Sequence, residues 1–182
     1  MNEAPQVLNV ETLAQTRLFN IEAVDLAFSN GRKARFERLM GEGPGAVLVV
    51  PLIDAHNLLL VREYAVGLER YELGFVKGRI DGGEGPRDAA QREMQEETGF
   101  AARELVQLAS VALTPAYSNY RTFIFLARDL YADSRPGDEP EALQTQPWPL
   151  RDLARLRCRD DFSDARSLLA TYLVQDAMGD DS

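Results

Sequence analysis

Cysteine and long apolar runs are both scarce in this chain. Cys158 is the only cysteine among 182 residues, so no disulfide can form within one chain, and a cytoplasmic location is expected. No stretch approaches the roughly 20 apolar residues that span a bilayer. The N-terminus also lacks the basic start and apolar run of a signal peptide. We therefore expect a cytoplasmic protein with no membrane partner.

Positive charge is in short supply as well. The chain has 20 Lys and Arg residues against 29 Asp and Glu residues, which gives a net charge of −9. Proteins that bind long nucleic acids need a basic surface, so we expect no nucleic-acid partner. An acidic protein that acts on an anionic ligand needs divalent cations and local basic groups. The apolar share of 45% is enough for one domain with a core.

Glycine, by contrast, is concentrated before one polar segment. Residues 78–100 have the sequence GRIDGGEGPRDAAQREMQEETGF. The Gly and Pro residues of its first part predict a loop. Residues 87–98 contain neither and favour a helix, and Gly99 supplies a C-terminal stop. The segment therefore predicts a loop, a helix and a stop.

Three glutamates share one face of this predicted helix. Glu93, Glu96 and Glu97 stand at positions i, i+3 and i+4. Crowded carboxylates repel one another unless a cation lies among them, and Mg²⁺ prefers oxygen ligands that it shares with substrate phosphates. A solvated acidic surface would explain the charge alone, but the glycine loop and the full spacing favour a metal site. Arg92 and Glu84 are placed to pair and to hold this face in register.

The spacing of this segment resembles the signature of the Nudix hydrolases over 23 of 182 residues. The resemblance implies an α/β (α+β) fold, an αβα sandwich around a mixed β-sheet. It also implies Mg²⁺ or Mn²⁺, and attack of water on a nucleoside diphosphate linked to another moiety. By position, Glu93 and Glu97 are metal ligands, Glu96 is a further ligand or a base, and the carbonyl of Lys77 is another ligand. Arg92 belongs to the same implied catalytic set.

The residues before this region predict an antiparallel β-hairpin. Residues 18–29 largely alternate, Asn30-Gly31 is a strong turn signal, and residues 32–40 return as the second strand. Residues 8–15 have mixed character and are interpreted only as a lead-in. Arg38 belongs to a basic group on the hairpin, which is either a solvated strand face, part of a dimer interface or a contact to an anionic substrate.

The rest of the chain predicts a core of strands closed by helices. We divide it into an N-terminal hairpin element, residues 1–44, and a Nudix domain, residues 45–182. Arg62 and Tyr64 end a predicted strand, where a substrate could meet them. The other predicted elements are a buried strand at 46–53, a strand at 58–64, paired strands at 105–113 and 121–127, a short helix from Arg151, and a helix at 163–178 with Leu168, Leu169, Tyr172 and Leu173 toward the core.

Features outside the signature narrow the choice of substrate class. Pro115 lies 15 residues after Phe100, and a proline near that place is a feature of the ADP-ribose pyrophosphatase group. The N-terminal hairpin also resembles that group, whose members exchange it across a homodimer. The runs LNVET, LFNIEAVDLAFSNG, REYAVG, YELGF, KGRID and GDEPE, followed by WPL, extend the resemblance to bacterial ADP-compound hydrolases over most of residues 8–150. This resemblance implies cleavage of ADP-ribose, NADH or diadenosine polyphosphates to AMP and a phosphorylated remainder. Tyr117 resembles a tyrosine of diadenosine polyphosphate hydrolases.

Two acidic residues after the core strands are candidates for activating water. In the ADP-ribose group a glutamate on a late loop has that role, and Glu139 and Glu141 lie in the corresponding loop. The sequence does not choose between them, and a solvated acidic loop is the alternative. Two further functions stay open: hydrolysis of another nucleotide sugar such as GDP-mannose, and a sensor that binds a nucleotide without cleaving it.

Overall fold

The structure, a computed structural model, describes residues 3–41, 43–137 and 139–179. The chain divides into two compact units, of which the first is Met1–Gly45 with Ala112–Arg121 and the second is Ala46–Val111 with Thr122–Ser182. The first unit thus also contains a segment from the middle of the chain. The sequence-based division into residues 1–44 and 45–182 stays a prediction. In the described ranges, no helix is long and apolar enough to cross a membrane.

The first unit contains a three-stranded antiparallel sheet in the order β1-β2-β3. Its strands are β1 (Gln6–Gln15), β2 (Asn20–Ala27) and β3 (Lys33–Met40). Gly31 has a φ of 79°, in the left-handed region that the β2–β3 turn requires, so the predicted hairpin is confirmed. The interpretation of residues 8–15 as a mere lead-in is wrong. All of β1 is exposed, so its sequence lacks the apolar alternation that marks a half-buried strand.

The second unit is built on two further sheets. A four-stranded sheet has the order β7-β4-β9-β8, and a three-stranded sheet has the order β10-β5-β6. Strand β4 runs parallel to β9 and antiparallel to β7, so the sheet is mixed, as predicted. The strands are β4 (Ala46–Pro51), β5 (Asn57–Ala65), β6 (Arg70–Gly74), β7 (Val76–Arg79), β8 (Phe100–Ala112), β9 (Arg121–Ala132) and β10 (Gln144–Pro149).

Helices pack on both faces of β4, which is buried along its whole length. Val47 and Val49 belong to an apolar cluster with Ala90 and Met94 of α1. Leu48 and Val50 belong to a second cluster that contains residues of α2 and α3. Alternate residues of a strand point to opposite faces, so the unit is the predicted αβα sandwich. The helices are α1 (Pro86–Thr98), α2 (Leu153–Leu156) and α3 (Ala165–Gly179).

The buried face of α3 differs from the prediction. Leu169 and Tyr172 were expected in the core but are 37% and 53% exposed, whereas Leu168 and Leu173 are partly buried against it. The fully buried positions carry small or polar side chains, namely Ser167, Ala170, Thr171 and Val174. Such residues let a helix approach its neighbours closely, and the Thr171 hydroxyl stays satisfied by donating to the Leu168 carbonyl at 2.7 Å. Hydrophobicity alone therefore identifies only part of the buried face of this helix.

The assignment of the buried face of α3 can be tested by truncation. Val174→Ala removes buried carbon and should lower the free energy of unfolding by about 2 kcal/mol. Tyr172→Ala removes a larger but half-exposed side chain and should cost less than about 1 kcal/mol. Urea denaturation of both variants measures the two costs. A larger loss for Tyr172→Ala than for Val174→Ala would contradict the assignment.

Candidate functional site

Helix α1 carries the three glutamates, and its two ends are fixed by the residues that the sequence indicated. Pro86 is its first residue, where the missing N–H costs no helical bond. Gly99 caps the C-terminus with a φ of 76°, and its N–H donates to the Gln95 carbonyl at 3.2 Å. The predicted loop, helix and stop are confirmed, so Glu93, Glu96 and Glu97 share one region of the helix surface.

Glu93 packs directly on the backbone of Gly78 in β7. A Cβ atom added to Gly78 would lie 1.8 Å from both Cδ and Oε1 of Glu93. Any larger residue would therefore displace the carboxylate, because real Cβ atoms do not approach other atoms so closely. Gly78 is held in place by pairing with Val47 of the buried strand β4. The glycine thus creates the space in which the Glu93 carboxylate lies.

Arg92 connects the carboxylates of the helix to the glycine-rich loop. Its Nη1 donates to Glu93 Oε1 at 2.7 Å and to Glu96 Oε2 at 3.1 Å. Its Nε and Nη2 donate to the two oxygens of Glu84 at 3.1 and 3.0 Å. Nη2 also donates to the Arg79 carbonyl at 2.9 Å. The predicted Arg92–Glu84 pair is present and bidentate, a geometry that orients both groups firmly.

These contacts shift two pKa values. Hydrogen bonds to Glu84 and Glu93 raise the pKa of Arg92, against a smaller lowering by burial. The Arg92 guanidinium in turn lowers the pKa of Glu84. Both groups are therefore charged at neutral pH, and Arg92 supplies positive charge beside the acidic face of α1.

Glu97 is largely buried. Its Oε1 accepts the Lys77 backbone N–H at 3.2 Å, while its Oε2 is buried without a hydrogen-bond partner. Burial raises the pKa of Glu97, and the Glu93 charge adds to this, whereas Lys77 opposes it. A buried carboxylate oxygen without a partner is costly and needs an explanation. A cation at this oxygen would reverse the pKa shift.

The residue types present fit a hard divalent cation. Mg²⁺ and Mn²⁺ favour carboxylate and carbonyl oxygens, and Glu93, Glu96 and Glu97 supply such oxygens beside Gly78. The orphaned oxygen of Glu97 supports the same assignment. In the described part of the chain, however, no group of three or more acidic, His or Cys side chains already converges on one point. Arg92 instead bridges Glu93 and Glu96.

Glu139 and Glu141 line a cavity together with the helix glutamates. This cavity is lined by Glu93, Glu96 and Glu97 together with residues 137 and 139–143. A second cavity is lined by both Lys77 and Glu139. It shares Glu93, Glu96, Gly137 and Glu139 with the first. The structure therefore brings both loop glutamates to the predicted metal ligands.

Two of the predicted substrate contacts, Arg62 and Tyr64, lie on β5 in the second unit. Arg62 Nη1 lies 3.3 Å from Asp161 Oδ2. Tyr64 packs edge to face with Tyr71 at 5.4 Å between ring centroids. Tyr71 is 42% exposed, and its hydroxyl donates to Glu141 at 2.7 Å. Sequence reasoning missed this contact because nothing local links residues 70 positions apart.

Three predicted substrate contacts lie in the first unit. Arg38 pairs with Glu22 at 2.8 Å, across β2 and β3. Pro115 belongs to the turn that begins at Thr114, whose carbonyl accepts the Tyr117 N–H at 3.1 Å. The Tyr117 carbonyl accepts the Leu39 N–H at 2.7 Å, which attaches this turn to β3. Their role as substrate contacts stays a prediction.

Comparisons with known proteins agree with this geometry. The NUDIX domain model matches residues 43–171, and the model of the NudE-type Nudix hydrolase N-terminal domain matches residues 5–38. The chain is 47% identical over 174 residues to "ADP compounds hydrolase NudE" of Escherichia coli K12, covering 96% of this chain and 93% of that protein. It is 27% identical over 175 residues to an ADP-ribose pyrophosphatase of Bacillus subtilis, covering 92% and 94%.

A solved structure matches the fold over the same length. The "Crystal structure of ADP compounds hydrolase" superposes with a TM-score of 0.93 at 44% identity, covering 100% of this chain and 98% of that one. The match includes the helix, the glycine loop and the mixed sheet described above. The chain therefore belongs to the Nudix hydrolase family and combines a Nudix domain with a NudE-type N-terminal domain.

Proposed function

We propose that this protein hydrolyses ADP linked to another moiety and releases AMP with the phosphorylated remainder. The observation that carries the proposal is the near full-length similarity to a protein named as an ADP compounds hydrolase. The three signature glutamates of α1, Glu93, Glu96 and Glu97, are also all present. ADP-ribose, NADH and diadenosine polyphosphates are the proposed substrates. A sensor that binds without cleaving is disfavoured because Glu93, Glu96 and Glu97 are all present beside Gly78.

The proposed metal ligands are Glu93 and Glu97, with Glu96 and the Lys77 carbonyl as further oxygen donors. A bound Mg²⁺ or Mn²⁺ ion would neutralise diphosphate charge and lower the pKa of water. The oxygen-only donor set and the orphaned oxygen of Glu97 support this assignment. Because the chain has a net charge of −9, an anionic substrate would otherwise meet repulsion at this face.

The remaining roles follow from the contacts of each side chain. Arg92 holds Glu93 and Glu96 in orientation and connects them to Glu84. A loop glutamate, Glu139 or Glu141, accepts the proton of the attacking water, since both line a cavity with the helix glutamates. Glu96 is the alternative base. Phosphoryl chemistry of this kind depends chiefly on positioning and electrostatics, which Arg92 and the carboxylates bonded to it supply.

The proposal extends to the surroundings of the site. Arg62, Tyr64, Arg38, Pro115 and Tyr117 are the proposed substrate contacts. A homodimer is proposed on the family resemblance. A cytoplasmic location is proposed from the single cysteine, and the absence of a nucleic-acid partner from the acidic charge. The second candidate substrate class is another nucleotide sugar such as GDP-mannose, because the residues of α1 recognise a diphosphate rather than a base.

Substrate choice can be tested with a panel of nucleotides. Purified protein with Mg²⁺ or Mn²⁺ should release AMP from ADP-ribose, NADH and diadenosine triphosphate, and little mononucleotide from GDP-mannose or dATP. Chromatography of the released mononucleotides measures this. GMP from GDP-mannose alone would overturn the substrate class but leave the chemistry. Measurable binding without cleavage of any compound would favour a sensor.

The same assay, combined with circular dichroism, distinguishes a metal-binding role of Glu97 from a role in folding. Glu97→Gln keeps the size of the side chain but removes its charge, so turnover should fall by about 100-fold or more. The circular dichroism spectrum should remain that of the parent protein. Unchanged turnover in this variant would contradict the role assigned to Glu97.

The space at Gly78 provides a second test. Gly78→Ala places a Cβ atom on the Glu93 carboxylate, so it should reduce turnover and Mn²⁺ binding by about 100-fold. Gly82→Ala is the matched control, since a Cβ there meets nothing within 4 Å. Kinetics and Mn²⁺ titration of both variants measure the effects. Equal, small losses would show that the Glu93–Gly78 contact is not required.

A further inference from the structure

Tyr71 holds part of the loop that faces the candidate metal ligands. We name residues 139–143 (Glu139, Pro140, Glu141, Ala142 and Leu143) the acidic segment. The Tyr71 hydroxyl donates to Glu141 Oε1 at 2.7 Å. Because Tyr71 is 42% exposed, burial in the core does not explain its place.

The position of the Tyr71 ring is itself fixed by the sheet. Tyr71 and Tyr64 are directly opposite in the antiparallel pair of β6 and β5, and their rings pack edge to face. The Arg62 guanidinium carbon lies 5.6 Å from the centre of the Tyr71 ring. Arg62 is held in turn by Asp161 at 3.3 Å. The Tyr71 hydroxyl is therefore a donor at a defined place on a rigid element.

The acidic segment lies between two backbone attachments. Before it, the Arg135 N–H donates to the Gln95 carbonyl of α1 at 3.2 Å. After it, Gln144 begins β10 and pairs with Arg62 of β5. Between these attachments, the acidic segment forms one wall of the cavity that contains the helix glutamates. The Tyr71 bond adds a side-chain attachment within that wall.

The two glutamates of this segment stand in different surroundings. Glu139 lines both cavities at α1, whereas Glu141 lines one and gives an oxygen to Tyr71. Pro140 lies between them, and its ring fixes one backbone torsion. Fixing Glu141 therefore also restricts where Glu139 lies.

We propose that Tyr71, through its hydrogen bond to Glu141, positions the acidic segment so that Glu139 faces the glutamates of α1. Tyr71 and Glu141 are then positioning residues, and Glu139 is the loop glutamate that meets substrate and water. The inference rests on the proposed function and assigns the two loop glutamates that the sequence left as alternatives. It predicts that the Tyr71 hydroxyl acts on turnover rather than on substrate affinity.

The kinetic test is a double-mutant cycle. Tyr71→Phe removes only the hydroxyl and should lower kcat about five-fold with KM changed less than about two-fold, as expected for one partly exposed hydrogen bond to a charge. Glu141→Ala should match it, and the double variant should lose no more. Glu141→Gln retains an acceptor oxygen and should regain part of the loss. Glu139→Gln should lose about 100-fold.

Tyr172→Phe is the control, because it removes an exposed tyrosine hydroxyl from α3. It should leave kcat unchanged. Additive losses in the double variant would overturn the proposal. So would Glu141→Gln falling as far as Glu139→Gln, since Glu141 would then act in the chemistry itself.

A measurement without catalysis separates this proposal from the proposed function. Glutamyl endopeptidase must bind the Glu141 side chain to cut the Glu141–Ala142 bond, and the Tyr71 hydroxyl competes for that side chain. Tyr71→Phe should therefore be cut there about five-fold faster than the parent or Tyr172→Phe. Equal cutting rates would refute the Tyr71 attachment. Faster cutting in Tyr71→Phe, in a protein that hydrolyses no nucleotide, would support the attachment and refute the proposed function.

Discussion

The candidate site depends on the close approach of Glu93 to the backbone of Gly78. A buried strand, β4, holds β7 by pairing, and α1 packs Ala90 and Met94 against the same sheet. The strand and the helix are thus fixed relative to each other by apolar packing, and the absence of a side chain at residue 78 leaves room for a carboxylate between them. Replacing that glycine would move a charged group rather than a flexible surface side chain. The packing of the core therefore determines where the Glu93 carboxylate lies.

Electrostatics at this face balance repulsion against pairing. Three glutamates within five residues of one helix would repel one another, and Arg92 reduces that cost by bonding to Glu93, Glu96 and Glu84. Glu97 lacks such a partner at its buried oxygen, and burial raises its pKa. The protein therefore pairs only part of the carboxylate oxygens on this face. A divalent cation would bind the remaining oxygens and would in turn attract an anionic diphosphate.

Local patterns predicted the parts of the structure whose signals lie close together in the sequence. The loop and helix of the signature, the Asn30-Gly31 hairpin, the buried strand β4 and the mixed sheet are all confirmed. The prediction was wrong for β1, which is wholly exposed, and for Leu169 and Tyr172, because small residues form the buried face of α3. The Tyr71–Glu141 bond could not be predicted, since it joins residues far apart in sequence. The roles of the site residues remain predictions.

The most direct measurement is the position of Mn²⁺ in crystals of this protein, read from anomalous scattering. We expect an anomalous peak within about 2.5 Å of carboxylate oxygens of Glu93 and Glu97, distances typical of oxygen ligands to such ions. We also expect Oε2 of Glu97 to be one of those ligands. A peak elsewhere in a crystal of active protein, with Arg92 still bridging Glu93 and Glu96, would contradict the assignment of α1 as the metal-binding helix.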